Sequence, residues 1–148
     1  DQKTIHNFIW APIFLIGVVF LAFGFIWILH PELWSLDQPA NEALLQTSFN
    51  KLFLDDANKF LPSYLIVIYR FLGLWLITIG LLVLSYVKIT KLGTKQARVL
   101  IHSTLFITLI SMCYLIFKHL PSSPLVPTLY VFIFLLGLSV YFSSRMAQ

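Results

Sequence analysis

The chain has 148 residues, of which 59% are hydrophobic and only 11% charged, with a mean hydropathy of +0.87. Soluble domains carry about 25% charged residues, so this composition cannot build a water-facing surface, and a single transmembrane domain over residues 1–148 is expected. The lone Cys113 excludes an intramolecular disulfide, a CxxC redox pair and a cysteine zinc site, and the net charge of +4 reflects one basic connection, not a nucleic-acid surface.

Four runs of about 20 apolar residues are long enough to cross a bilayer. The first covers residues 8–29 and stops at His30-Pro31, where proline disfavours further helix. It is too long for a signal-peptide core and no A-x-A-like site follows it, so it reads as a retained helix. Trp10 and Trp27 are 17 positions apart, about 26 Å of helical rise, which suits two aromatic belts bounding a hydrocarbon core. The long connection 30–62 follows. Its stretch "LDQPANEALLQTSFNKLFLDDANKF" offers Asp37 or Gln38 as an N-cap and Pro39 as a first helical residue. Leu45, Phe49, Leu52 and Phe53 recur at helical spacing, which predicts an amphipathic helix at the membrane surface. A helix packed over the mouth of the bundle is the alternative. The second span is 63–87, with Tyr64 and Tyr86 repeating the aromatic ruler; the third is 98–117; the fourth is 128–143, with Pro127 placed to start it.

Lys88, Lys91, Lys95 and Arg98 crowd the second connection, whereas the first carries Glu32, Asp37, Glu42, Asp55 and Asp56 against Lys51 and Lys59. Positive charge marks the cytoplasmic side, so both termini are expected in the cytoplasm and residues 30–62 outside.

Close packing and buried polar contacts hold helices together in lipid. Gly17 and Gly24 are seven apart in the first span, as are Gly73 and Gly80 in the second. Thr104, Thr108 and Ser111 form a hydroxyl stripe in the third span, and Gly137 supplies a small residue in the fourth. The expected fold is an all-α, left-handed four-helix bundle with one small or hydroxylated seam per helix.

Arg70 is the one charge inside the second run. Positions 70, 73, 77 and 80 read as one face, which sets Arg70 on the glycine stripe near the outer surface, with Asp55 and Asp56 as partners. It is then either an anchor for the outer segment or an anion or headgroup site at the outer mouth. Asp55 and Asp56 are adjacent, so on a helix they point about 100° apart and do not share a proton. Of the four histidines, His6 and His102 are the pair that a single haem near the inner face would need, and interfacial histidines are the simpler reading. "KLGTK" at 91–95 lacks phosphate-loop spacing, and no HExxH, GxSxG or ExxH motif is present. The chain reads as non-catalytic, with no cofactor required.

"YRFLGLWLITIGLLVLSY", at 69–86, resembles the start of the second span in the DoxX-like small four-helix bacterial membrane proteins, through Arg70, Gly73 and Gly80. The long first connection and short basic second one are similar too. The resemblance implies a bacterial cytoplasmic-membrane protein, working as an accessory or assembly subunit of a larger complex, respiratory or otherwise engaged in electron transfer. It assigns no active-site residue. The alternative expectation is a small membrane protein that binds a lipid or quinone in its bundle, with Arg70 at the mouth. Its partners are then other membrane subunits and lipids.

Overall fold

A computed structural model describes residues 1–146. Four long helices dominate: α1 (Gln2–Leu29), α4 (Leu61–Thr90), α5 (Lys95–His119) and α6 (Leu125–Arg145), all long and apolar enough to cross a membrane. Two short helices, α2 (Gln38–Leu45) and α3 (Phe49–Leu54), and two 3-10 turns, Leu33–Asp37 and Asp56–Asn58, fill the first connection. Every long helix outruns its apolar core by a few residues. For α1 the reason is a cap: the Asp1 carboxylate accepts from Lys3 N at 3.2 Å, extending the helix back over a polar turn. Thr94 does the same for α5, its hydroxyl accepting from Ala97 N at 3.1 Å. In α6, Pro124 is the N-cap and Pro127 lies inside the first turn, where its missing N–H has no carbonyl to reach.

The first connection is not one amphipathic helix. It breaks after Leu45, where Gln46 turns left-handed (φ 54°) and Ser48 caps a new helix by accepting from Lys51 N at 3.3 Å. Glu42 stitches the break, one carboxylate oxygen accepting from both Gln38 Nε2 and Phe49 N at 2.8 Å. Phe49 is consequently buried, while Leu44, Leu45 and Leu54 stay exposed. Asp37 stands at the N-cap of α2 but makes no capping bond.

α1 is the central helix. It packs along α4 on one side and α6 on the other, and α5 packs on α6. The α1–α4 contact is a glycine seam. A methyl group on Gly73 would stand 2.9 Å from the Gly24 carbonyl oxygen, and one on Gly80 would stand 2.9 Å from that of Gly17. The two heptad-spaced pairs thus meet as an antiparallel match, backbone against backbone, which is how small residues let helices approach in lipid. The α1–α6 contact closes around Phe20 and Phe132, whose rings are 5.1 Å apart, and around Ser139, which is fully buried and donates to Ile9 O at 2.6 Å. Ser139, not Gly137, is the small residue in that seam. Gly137 is exposed with nothing within 4 Å of where its side chain would begin.

The α4–α5 turn carries two successive left-handed residues, Lys91 (φ 49°) and Leu92 (φ 53°). Such backbone is unfavourable for non-glycine residues. The turn is held because Leu92 is completely buried in the core beside Val87, and because the Lys91 ammonium lies 4.9 Å from the Trp10 ring. Asp1, Met146 and this turn lie at one end of the molecule, and residues 30–60 lie at the other. The outward surface of the long helices is largely apolar, with Trp75, Phe106, Ile107 and Phe134 among many exposed side chains.

Candidate functional site

Although α4 and α5 are joined by a turn of four residues, they do not close on each other. α4 is drawn to α1 by the glycine seam, and the buried stripe of α5 (Ile101, Leu105, Leu109 and Ile116) faces the common core. Between them lies an open groove of about 610 Å³. Phe20 of α1 is its floor, Leu76, Ile79 and Val83 form the α4 wall, and Thr104 and Thr108 stand on the α5 wall. A smaller cavity of about 170 Å³ shares Phe20, Leu76 and Met112 with the groove and extends to Trp27, Leu125 and Thr128. Together they form an apolar path from the turn end towards the connection end.

Thr104, Thr108 and Ser111 are all exposed from the core, so they are not a packing seam; the packing stripe of α5 lies one position away. Each hydroxyl donates to the carbonyl four residues back, at 2.9 Å. The Tyr86 hydroxyl at the turn end likewise donates to Ala97 O at 3.1 Å. The groove hydroxyls of Tyr86, Thr104 and Thr108 therefore offer no free donor, and the rest of its lining is apolar.

Polar groups gather at the connection end. Asn41 of α2 donates through Nδ2 to the Tyr69 hydroxyl at 3.0 Å, and the Tyr69 ring packs edge-on against Trp27 with centroids 6.0 Å apart. Nearby, Asp37 and Ser123 are both buried, and Ser123 Oγ accepts from Leu125 N at 3.1 Å. One Asp37 carboxylate oxygen has no partner among the described residues. Burial pushes the Asp37 carboxyl up from the ordinary carboxylate range, and the Ser123 hydroxyl beside it opposes part of the shift. Tyr69, Asn41, Asp37 and Ser123 thus form a half-dry polar rim, adjoining the apolar path through Trp27 and Leu125.

Arg70 is not part of this rim. It is exposed on α4, lines neither cavity, and makes no ion pair with Asp55 or Asp56 among the described residues. On α4 the glycine seam runs through Gly73, Ile77, Gly80 and Leu84; position 70 is in phase with it but exposed, and the tie to the first connection is made by Tyr69 instead. Asp55 is occupied locally, its carboxylate accepting from Ala57 N at 2.9 Å, and both it and Asp56 are exposed. His102 Nε2 lies 2.8 Å from Ser139 Oγ. Since that hydroxyl donates to Ile9 O, Nε2 is the donor to it and is engaged in the α5–α6 contact. His6 keeps a buried Nδ1 without a partner among the described residues and makes no bond to His102. The rim was missed because its members come from four separate segments; the one signal available was an acidic residue, Asp37, ahead of Pro39 in an otherwise apolar neighbourhood. No family model, curated protein or solved structure matches this chain.

Proposed function

We propose that this chain is an integral protein of a bacterial cytoplasmic membrane, with its basic end in the cytoplasm, that holds a long-chain amphiphile in the α4–α5 groove. A lipid acyl chain or an isoprenoid quinone has the required shape. The observation that carries this reading is the groove itself: about 610 Å³ of largely apolar space whose hydroxyl donors are already engaged. Small-molecule sites span about 300–1,000 Å³, whereas a helix with its side chains is about 10–12 Å across. A single chain fits the groove better than a partner helix does. The Asp37–Asn41–Tyr69–Ser123 rim offers donors and acceptors to a polar headgroup at the end of the path. Among the described residues no group of metal-ligating side chains accompanies it, and binding is the role we assign.

The test fills the groove. Thr104→Trp and Thr108→Phe alter positions outside the core, so the fold should persist. Protein purified in mild detergent is extracted with organic solvent, and bound lipid and quinone are quantified per chain. Loss of one species in the filled variants supports the reading; identical retention in wild type and variants refutes it. Orientation is tested separately by Ser48→Cys and Thr94→Cys in a Cys113→Ser background. Labelling at residue 94 by an impermeant reagent in intact cells would reverse the assignment.

A second reading is favoured by six exposed rings, Phe14, Phe25, Trp75, Phe106, Tyr130 and Phe134. Lipid tolerates such a surface without requiring it, and it suits packing against other subunits. The chain is then a non-catalytic accessory or assembly subunit, as the likeness to the DoxX-like proteins implies. Native mass spectrometry that finds only monomer in several mild detergents would refute it.

A further inference from the structure

At the end that carries the α4–α5 turn, α5 and α6 frame a further, chemically opposite cavity of about 320 Å³. Lys95, Arg98, Ser143 and Ser144 line it on the polar side, and Val99 and Val140, both exposed, line it towards the apolar belt. Arg98 is the unusual member. It is only 7% exposed, yet it has no carboxylate partner among the described residues. One nitrogen, Nη1, is engaged by Leu92 O at 3.2 Å, Gly93 O at 3.0 Å and Met146 Sδ at 3.4 Å. Nε and Nη2 bond to nothing among the described residues. Those carbonyls explain how the side chain is positioned; they do not neutralise its charge.

Neither free nitrogen is among the fully buried atoms without a partner, so an oxygen anion can reach them and pair a charge that the described residues leave unpaired. Arg presents a flat fork suited to two oxygens of one phosphate. Lys95 adds a second positive charge, and two serine hydroxyls complete a mixed donor set. The valines continue the cavity into the apolar surface, where acyl chains would lie. We infer that this cavity is a phosphate site for an anionic phospholipid of the leaflet at the basic end. Basic pockets between membrane helices on that side are suited to such headgroups. The inference rests on the chain's being embedded in a membrane, but it does not depend on what occupies the α4–α5 groove.

The full chain is reconstituted in phosphatidylcholine with and without phosphatidylglycerol, then released gently, and the lipids retained are counted by native mass spectrometry. Wild type should retain phosphatidylglycerol over phosphatidylcholine. Lys95→Gln should weaken that retention about fivefold, the effect of one basic residue near an anionic surface. Arg98→Gln also removes the tether on Leu92 and Gly93, so Arg98→Lys and Ser143→Ala, which spare charge and turn respectively, provide the reading if the glutamine variant misfolds. Arg98→Lys should keep a preference for phosphatidylglycerol, and Ser143→Ala should reduce it. Lys118→Gln, at the far end, should change nothing, and the groove-filled Thr108→Phe should retain phosphatidylglycerol normally. That last result separates failure here from failure of the groove reading. Equal retention of the two lipids, or no effect of Lys95→Gln and Ser143→Ala, would overturn the proposal. Displacement of the lipid by excess inorganic phosphate would overturn its assignment to a lipid.

Discussion

Gly24 faces α4 with no room to spare. A methyl group there would lie 2.6 Å from Ile77 Cγ1, 2.8 Å from Gly73 O and 2.8 Å from Ile77 N. Two of those three atoms are backbone, so the strain is not relieved by a rotamer change; α1 and α4 must move apart. Overpacking of this kind costs about 1–3 kcal/mol, and separating the helices forfeits dispersion along the rest of the seam. Against this stands the better helix propensity of alanine, about 1 kcal/mol. Gly137 is the internal control, because its substitution meets no neighbour within 4 Å and collects the propensity gain alone. Gly24→Ala should therefore be less stable than Gly137→Ala by about 1–3 kcal/mol. Gly17→Ala should fall between them, since it meets the Leu84 side chain at 3.0 Å and side chains yield more readily than backbone. The double change Gly24→Ala with Gly73→Ala should cost less than the sum, because both variants widen the same gap. Denaturing-detergent titration in mixed micelles, read by far-ultraviolet circular dichroism and by intrinsic tryptophan fluorescence, measures all of these. Coincident midpoints for Gly24→Ala and Gly137→Ala would refute the seam.

Tyr69→Phe removes the bond from Asn41 and should cost about 1 kcal/mol, with faster amide exchange confined to residues 30–60. Ser139→Ala deletes a buried hydroxyl that bridges His102 and Ile9; the stranded groups should cost about 1–3 kcal/mol, and Ser139→Thr should not restore them where the site has no spare volume. Asp37 has a raised pKa in the folded state, so it binds more protons folded than unfolded. Its contribution is full below the ordinary carboxylate pKa and is lost as pH rises through the folded value. Asp37→Asn should flatten that loss, and a thermal-melt series across acidic to neutral pH that is identical for the two proteins would contradict it. Arg70→Leu should leave stability within about 0.5 kcal/mol of wild type, as expected for an exposed side chain without partners; a larger loss in the same titration would mean that the guanidinium is paired.

The four long helices were legible because apolar runs of membrane length leave little else to build, and the α1–α4 seam because glycines seven apart have few other uses. Phase was harder to read than period. The stripe of Thr104, Thr108 and Ser111 has helical spacing, but so do Leu105, Leu109 and Met112 one step on, and only the tertiary fold chooses between them. Position 70 was in phase with Gly73, Ile77 and Gly80, yet the side chain is exposed and the bond to the first connection comes from Tyr69, one residue away. The break at Gln46 was hidden because a left-handed glutamine has no sequence signature comparable to glycine, and Gly93, which does, takes no such conformation. Arg98 was readable as one of several basic charges near a membrane face. Its burial depends on Leu92, Gly93 and Met146 converging on it, and no local pattern announces that.

The central position of α1 also governs the order in which the chain can assemble. Its tightest partner, α4, is synthesised only after the whole first connection, and its other partner, α6, comes last. α5 follows α4 through a four-residue turn yet has its main contact with α6. During synthesis, then, α1 must persist alone until α4 arrives, and the α1–α4 pair can form while α5 still lacks its support. The long helix that follows its predecessor most closely in the chain is thus the one whose main support is made last, and the groove lies between two sequence neighbours that pack on other helices.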